Sequence, residues 1–325
     1  MNFGELLSVQ NYWLFVVGHR NWVKTAGSSY AISMRHSKLA SILPVLIVLL
    51  SVAARAQSSA ISLTPALVEA GSPELIRVEA GDGVSVDGEW LGRKIEFFRG
   101  ADRSSWFALA GVDVEGAVGP STIRIRVRLS DGGVGDLSRE VEIHPAHYRI
   151  GSLTVAPKFV EPGPEALRQI EAESQLKAKV FAASALEPLW AGSFRAPVTA
   201  APTDSFGTRR TFNGKLASIH KGMDFRAASG TPVRAGNAGV VVLARPLYYE
   251  GNCVVIDHGL GLFTLYLHLS RIEVREGQRV RTGERLGLSG ATGRVTGPHL
   301  HWAVRWEGAY LDPAKMLRLD LSAVR

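Results

Sequence analysis

Short runs of β-forming residues, each followed by a glycine-containing turn, recur from about residue 205 to residue 315. They include GTPVRAGNAGVVVLA, NCVVIDHG, LFTLYLHLS and HLHWAVRW. Runs of this length are typical of strands, and the tight turns between them favour antiparallel pairing of neighbours. Residues 201–325 are therefore predicted to form a compact antiparallel β domain.

A second β-rich region precedes this one. In the stretch TIRIRVRL, the residues Ile123, Ile125, Val127 and Leu129 alternate with polar neighbours. A period of two is typical of a strand with one buried face, and several such runs at roughly ten-residue spacing are typical of a β-sandwich. Residues 57–150 are predicted to form a sandwich-like accessory domain.

The intervening residues 151–200 are predicted to be a linker with one helix. Glu165 to Ala185 are rich in strong helix formers, and Leu167, Ile170 and Leu176 recur with an approximately helical period. The fold class that follows is mainly β, with a helical linker between a sandwich-like domain and the C-terminal antiparallel β domain.

The start of the chain carries an export signal. Residues 34–56 begin with the two basic residues Arg35 and Lys38, followed by an uncharged apolar run from Leu39 to Ala53 and a small-x-small cleavage site before Gln57. The apolar run is shorter than the roughly 20 residues of a spanning helix, so a cleaved signal peptide is favoured over an uncleaved anchor. Residues 1–33 are interpreted as an over-extended gene model. We expect an exported protein of the periplasm, the cell envelope or the extracellular space, with no stable membrane span after cleavage.

The net charge and the cysteine content restrict the classes of partner and of metal site that this chain can have. The formal net charge is +7 and the sequence pI is about 9.7, which favours anionic partners such as cell walls, membranes or nucleic acid. The single cysteine, Cys253, excludes an intramolecular disulfide and a cysteine-rich zinc site. Its apolar neighbours predict a buried side chain. Nothing in the sequence predicts the oligomeric state.

Five of the nine histidines lie between residues 220 and 301. His299 and His301 are two apart in a predicted strand, so both point to one face while Leu300 points into the core. The same rule predicts that Tyr266 and His268 share a face. In HKGMD, Gly222 would let the loop curl so that His220 and Asp224 converge.

These side chains suit a catalytic metal. Two imidazoles and one carboxylate are good ligands for Zn²⁺, and catalytic zinc sites have three protein ligands with a fourth position for water. The helical H-E-x-x-H motif with its glutamate base is absent. A remaining histidine can supply the base or stabilise an oxyanion, and the residue pattern alone leaves open which histidine does which.

The stretches HKGMD, YLHLS and TGRVTGPHLHW resemble the motifs of the M23 zinc metallopeptidases, of the lysostaphin and LytM type. The resemblance covers about residues 200–315, and more weakly residues 58–200. It implies one Zn²⁺ per chain, held by His220, Asp224 and His301. It also implies that His268 and His299 are catalytic, and none of the five positions departs from the family pattern.

The resemblance implies a secreted zinc-dependent endopeptidase that hydrolyses peptide cross-links of bacterial peptidoglycan. The alternative is a non-catalytic wall-binding regulator of another hydrolase. A nucleic-acid-binding role rests on charge alone, and the export signal argues against it. His258 is predicted to be structural, while Arg210 and Asn213 are predicted either to line the cleft or to stabilise turns.

Overall fold

The computed structural model describes residues 60–322 and Val324. The predicted gene-model extension at 1–33 and signal peptide at 34–56 therefore lie outside the described residues. In the described part of the chain, no helix is both long enough and apolar enough to cross a membrane.

Two sheets form the first half of the described chain. Their strands are β1 Ile61–Thr64, β2 Val68–Glu69, β3 Pro73–Glu79, β4 Gly83–Trp90, β5 Arg93–Glu96, β6 Phe98–Arg99, β7 Ser105–Gly111, β8 Gly119–Leu129 and β9 Val134–His144. One sheet has the order β1-β3-β7-β6 and the other the order β2-β9-β8-β4-β5. Ile123, Ile125 and Val127 of β8 are buried and the arginines between them are exposed, which confirms the predicted alternation. Side chains from both sheets share one hydrophobic core, as in a sandwich.

The next segment runs along the C-terminal sheets. It comprises β10 Ile150–Leu153, a 3₁₀ turn at Pro157–Phe159 and helix α1 at Pro164–Phe181. Helix α1 ends four residues before the predicted Ala185, because Ser184 Oγ and the Ala185 amide instead donate hydrogen bonds to the Asp257 carboxylate. Its contact face begins at Leu176, and the predicted periodic residue Leu167 is exposed.

The C-terminal half contains the remaining strands. They are β11 Pro202–Asp204, β12 Arg209–Phe212, β13 Leu216–Ile219, β14 Met223–Phe225, β15 Pro232–Arg234, β16 Gly239–Leu247, β17 Gly251–Asp257, β18 Leu262–Leu269, β19 Arg271–Ile272, β20 Arg279–Val280, β21 Arg285–Leu288, β22 Leu300–Trp306 and β23 Ala309–Leu311, followed by helix α2 Pro313–Met316. The main sheet has the order β11-β14-β22-β18-β17-β16-β20, with β23 also paired to β22. These pairs are antiparallel, and the mainly β fold class is confirmed.

Smaller sheets flank the main sheet. β10 pairs in parallel with β12, and β12 pairs antiparallel with β13. The first half of the described chain also contacts β23 and helix α2: Tyr310 N donates to Asp113 at 2.7 Å, and Lys315 forms a 2.7 Å ion pair with Glu69. Strand β22 lies inside the main sheet, between β14 and β18, and these three strands position the histidine cluster.

Candidate metal centre and cleft

Strand register brings Asp224 and His301 together. Asp224 of β14 is the direct partner of His301 on β22, and His301 is also opposite Leu267 of β18. Directly opposed residues on neighbouring strands lie on the same face of the sheet. Leu300, between the two histidines of the H-x-H pair, is completely buried on the other face, as predicted.

His220 approaches from the loop after β13. Its Nδ1 faces the carbonyl oxygen of Ser205 at 2.9 Å, so Nδ1 donates and Nε2 is left with its lone pair. Gly222 allows the close packing in this loop. A Cβ at this position would lie 2.4 Å from His301 Nε2 and 2.7 Å from the Trp302 carbonyl oxygen.

Three potential ligand atoms converge. Nε2 of His220 lies 3.0 Å from Oδ1 of Asp224 and 2.9 Å from Nδ1 of His301, and His301 Nδ1 lies 2.9 Å from the same oxygen. All three side chains are nearly buried. Two imidazole nitrogens and a carboxylate oxygen facing one point form a donor set that fits a divalent metal ion.

Arg210 orients the carboxylate of this cluster. Its Nη2 donates to Asp224 Oδ2 at 3.0 Å and also to Asp204, which leaves Oδ1 directed at the histidines. Burial alone would raise the pKa of Asp224, but hydrogen bonds with His220 and His301 and the charges of those rings hold it well below its usual range. Burial lowers the pKa of His301 to about 4, which is opposed by Asp224. The Asp224 carboxylate is therefore held in the ionised form that metal binding requires.

His268 enters the site through an unusual backbone conformation. The prediction that Tyr266 and His268 share a face is wrong: the Tyr266 hydroxyl accepts a hydrogen bond from Gly236 N in the core, while His268 lies in the cleft beside Leu267. His268 has φ 65°, in the left-handed region, which interrupts the strand alternation and turns its ring toward His299 and His301.

The His268 ring is fixed and neutral. Its Nδ1 donates to the Thr292 carbonyl oxygen at 2.9 Å, so Nε2 keeps its lone pair. Burial, followed by the nearby His301 and His299, lowers the pKa of His268 to about 3. The ring centroid lies 4.9 Å from that of His299.

His299 precedes β22 and lies at the edge of the cluster. Its Nδ1 donates to the Gly297 carbonyl oxygen at 2.8 Å, and its Nε2 lies 3.8 Å from Asp224 Oδ1. That separation is too long for a hydrogen bond. His268 and His299 thus both present Nε2 beside the three converging atoms.

Two other predicted residues have purely structural contacts. His258 is buried between the Ala238 carbonyl oxygen and the Thr264 hydroxyl, and burial lowers its pKa to about 4. The Asn213 side chain hydrogen-bonds both the amide and the carbonyl of Val155. Of the two open alternatives, Asn213 stabilises a turn and Arg210 lines the cleft. Cys253 is buried, as predicted.

The cleft around the histidines has a volume of about 500 Å³. Its lining also includes Tyr249, Glu250 and Arg294, which the sequence analysis did not identify. Arg294 lies within the TGRVTGPHLHW stretch, and a lone arginine between two glycines gave no signal of its own. The carbonyl groups of Ser205 and Thr292 were also missed, because backbone atoms leave no trace in residue identity.

Comparisons with known proteins agree with this geometry. The sequence profile "Peptidase family M23" matches residues 218–313. A segment of 101 residues, 31% of the chain, is 50% identical to the peptidoglycan DD-endopeptidase ShyA of Vibrio cholerae and covers 24% of it. A segment of 98 residues, 30% of the chain, is 45% identical to the DD-carboxypeptidase/endopeptidase Mpg of Neisseria meningitidis and covers 23% of it.

A solved structure extends the likeness beyond that segment. A crystal structure described as a peptidase M23 from Pseudomonas aeruginosa superposes with a TM-score of 0.59 and 28% identity, over 77% of this chain and 94% of that one. The chain spans about a quarter of the length of the curated relatives it matches.

Proposed function

We propose that the protein is a zinc-dependent endopeptidase of the M23 type that hydrolyses peptide cross-links of bacterial peptidoglycan, and the match of residues 218–313 to the profile of peptidase family M23 supports this. One observation carries the proposal: His220 Nε2, Asp224 Oδ1 and His301 Nδ1 converge within 3.0 Å, beside two further histidines. His220, Asp224 and His301 hold the metal. His268 and His299 act on the substrate.

Zn²⁺, when bound in such a site, lowers the pKa of its water to about 7 and polarises the scissile carbonyl. The chain's own residues supply the rest. Nδ1 of both His268 and His299 is committed to a backbone carbonyl, so Nε2 of each faces the substrate. One Nε2 accepts the proton of the attacking water, whose oxygen bonds to the carbonyl carbon. The other can stabilise the carbonyl oxygen only while its Nε2 also carries a proton, because a neutral ring that donates from Nδ1 has no hydrogen at Nε2. The proton taken from the water then passes to the leaving amine as the C–N bond breaks.

The names of the relatives support the substrate. ShyA is a peptidoglycan DD-endopeptidase and Mpg a DD-carboxypeptidase/endopeptidase. We propose that this chain likewise cleaves a peptide bond between two residues of D configuration, and that D-alanine supplies the carbonyl group of that bond. The predicted export signal and the net charge of +7 agree with an anionic wall polymer as substrate in the cell envelope.

Purified sacculi and the full chain provide the test. Soluble peptide fragments should appear, cease after chelation and return with Zn²⁺. His301→Ala should remove bound zinc and activity together, because it deletes a ligand. His268→Ala and His299→Ala should keep zinc while activity falls by at least about 100-fold. His147→Ala, at an exposed histidine outside the cleft, is the matched control.

Two results would contradict the proposal. A wild-type chain that binds zinc but releases no peptide from any wall type would instead support the wall-binding regulator. If His299→Ala lost zinc while His301→Ala retained it, the proposed division of roles would be reversed.

A further inference from the structure

Arg294 presents a rigid guanidinium to the cleft. Its Cζ lies 4.5 Å from the ring centroid of Phe212 and 4.6 Å from that of Tyr249. Its backbone amide also donates to the Tyr249 carbonyl at 2.9 Å. Stacking on two aromatic rings restricts the guanidinium plane while its N–H donors remain available. The side chain is therefore ordered before any ligand binds.

Among the described residues, this guanidinium has no hydrogen-bonded partner, although the negative charge of Glu250 lies close enough to act on its pKa. Within residues 60–322, no hydrogen bond or ion pair joins it to another side chain, whereas Arg210 is bound to two aspartates and Lys221 pairs with Glu115. Glu250 lines the same cleft, but its carboxylate pairs with Lys177 of helix α1. Burial lowers the pKa of Arg294 below its ordinary value, and a guanidinium still carries its full charge at neutral pH.

The loop that carries Arg294 also orients His268. The Thr292 carbonyl accepts the His268 Nδ1 proton, and Arg294 follows two residues later. Between them Gly293 has φ 77°, and a Cβ there would lie 2.4 Å from Gly251 N. This tight backbone packing fixes the position of the arginine relative to His268. An anion bound by Arg294 would therefore lie in the same cleft as His268 and the three converging ligand atoms.

We propose that Arg294 determines substrate specificity by binding a free carboxylate on the carbon that bears the scissile nitrogen. This inference rests on the proposed peptidase function. Two substrates carry such a group. One is a D-alanyl cross-link to a diamino acid that has a second carboxylate on the D-configured carbon bearing the cross-linked amine, and the other is a C-terminal D-alanyl-D-alanine. A cross-link to the side-chain amine of lysine or to an internal glycine has none. A guanidinium binds a carboxylate through two parallel hydrogen bonds, which a carboxamide cannot accept in the same way.

The test compares matched soluble peptides. One pair is a D-alanyl cross-link to a diamino acid with this carboxylate free or amidated. The other is D-alanyl-D-alanine with a free or amidated C-terminus. The wild type should cleave the free acid with a kcat/KM about 10- to 100-fold above that of the amide in at least one pair, and the pair concerned identifies the source of the carboxylate. Arg294→Gln should remove this preference by slowing the free acid alone, with bound zinc unchanged.

Control variants distinguish the loss of charge at position 294 from the loss of charge elsewhere and from a general structural defect. Arg279→Gln removes one exposed arginine from β20, outside the cleft, and should keep the preference. Arg294→Lys keeps the charge without the planar pair of donors and should retain only part of it. An equal loss on acid and amide in Arg294→Gln would reduce Arg294 to a structural role and overturn the inference. A wild type that cleaves acid and amide equally in both pairs would also overturn it. Failure of the wild type to cleave any peptide or sacculus would reject the peptidase function itself.

Discussion

Gly222→Ala is the sharpest perturbation of the metal centre, because it adds one methyl group and removes no ligand. The new Cβ would lie 2.4 Å from His301 Nε2, 2.6 Å from His301 Cε1 and 2.7 Å from the backbone oxygen of Trp302. Favourable separations between such atoms are about 3.5 Å, so the loop and the ring must separate by roughly 1 Å. Trp302 lies within β22, so the strand cannot move alone and the loop that joins His220 to Asp224 must shift.

A displacement of that size is about half the length of a zinc–nitrogen bond, and it exceeds the roughly 0.2 Å by which such bond lengths vary. We expect zinc affinity to fall by at least about 10- to 100-fold, the range found when the support of a metal ligand is lost. The free energy of unfolding without metal should also fall by about 1–3 kcal/mol from overpacking. Competition with a chromogenic chelator measures the affinity, and urea unfolding in chelator measures the stability.

Gly135→Ala is the matched control for this variant, since Gly135 has no heavy atom within 4 Å of the built Cβ. It should change neither quantity. Zinc affinity within about threefold of wild type in Gly222→Ala would refute the close-packing argument. A loss of stability without a loss of affinity would show that the loop relaxes away from His301 and leaves the ligands in place.

Further expectations concern residues around the centre. Arg210→Gln should lower zinc affinity by about 10- to 100-fold, because the second oxygen of Asp224 loses its donor; unchanged affinity in the chelator titration would contradict this. His258 has a folded-state pKa of about 4, below its ordinary 6.5, so the unfolded chain binds the proton first and stability falls as pH drops from 6.5 towards 4. Between pH 7 and pH 5 the titration of His258 should lower the free energy of unfolding by about 2 kcal/mol. In urea unfolding at a series of pH values, His258→Gln should not show this part of the pH dependence. Phe181→Ala should reduce stability by about 2 kcal/mol, because Phe181 packs edge-on against Phe263 at 5.1 Å; an unchanged unfolding midpoint would mean that α1 adds no stability through this contact.

Much of this fold could be predicted from local pattern. The alternation in β8 and the face shared by His299 and His301 follow from the period of two. Helix α1 was predicted from its composition, but its end was not, because Asp257 competes for the amide and hydroxyl groups beyond the helix. The predicted domain limits at 150 and 200 stay predictions, and β10, just beyond the first limit, pairs with β12 of the C-terminal half.

The parts of the site that could not be predicted depend on contacts between distant residues. His220 and His301 are 81 residues apart, and only the order of strands in the sheet brings them together. The left-handed backbone of His268 contradicts simple alternation, and strain of this kind is typical of functional positions. The family motif identified His268 although the strand rule assigned it to the wrong face. A family motif reflects the tertiary arrangement of its residues, whereas the alternation rule considers only a single regular strand.

Sheet and loops therefore have separate tasks in this centre. The strands set where the ligand atoms lie, through the pairing of Asp224 with His301. Loop carbonyl groups set where the protons lie, because His220, His268 and His299 each donate from Nδ1 to a backbone oxygen. A carbonyl group is present whatever the side chain, so substitutions in these loops can alter the cleft wall without changing the tautomers. The Thr292–Arg294 loop illustrates this: its backbone orients His268, while its arginine is the residue that we propose selects the substrate. Specificity can thus change at position 294 without loss of the catalytic geometry, which is why we expect Arg294→Gln to alter preference and leave the bound metal unchanged.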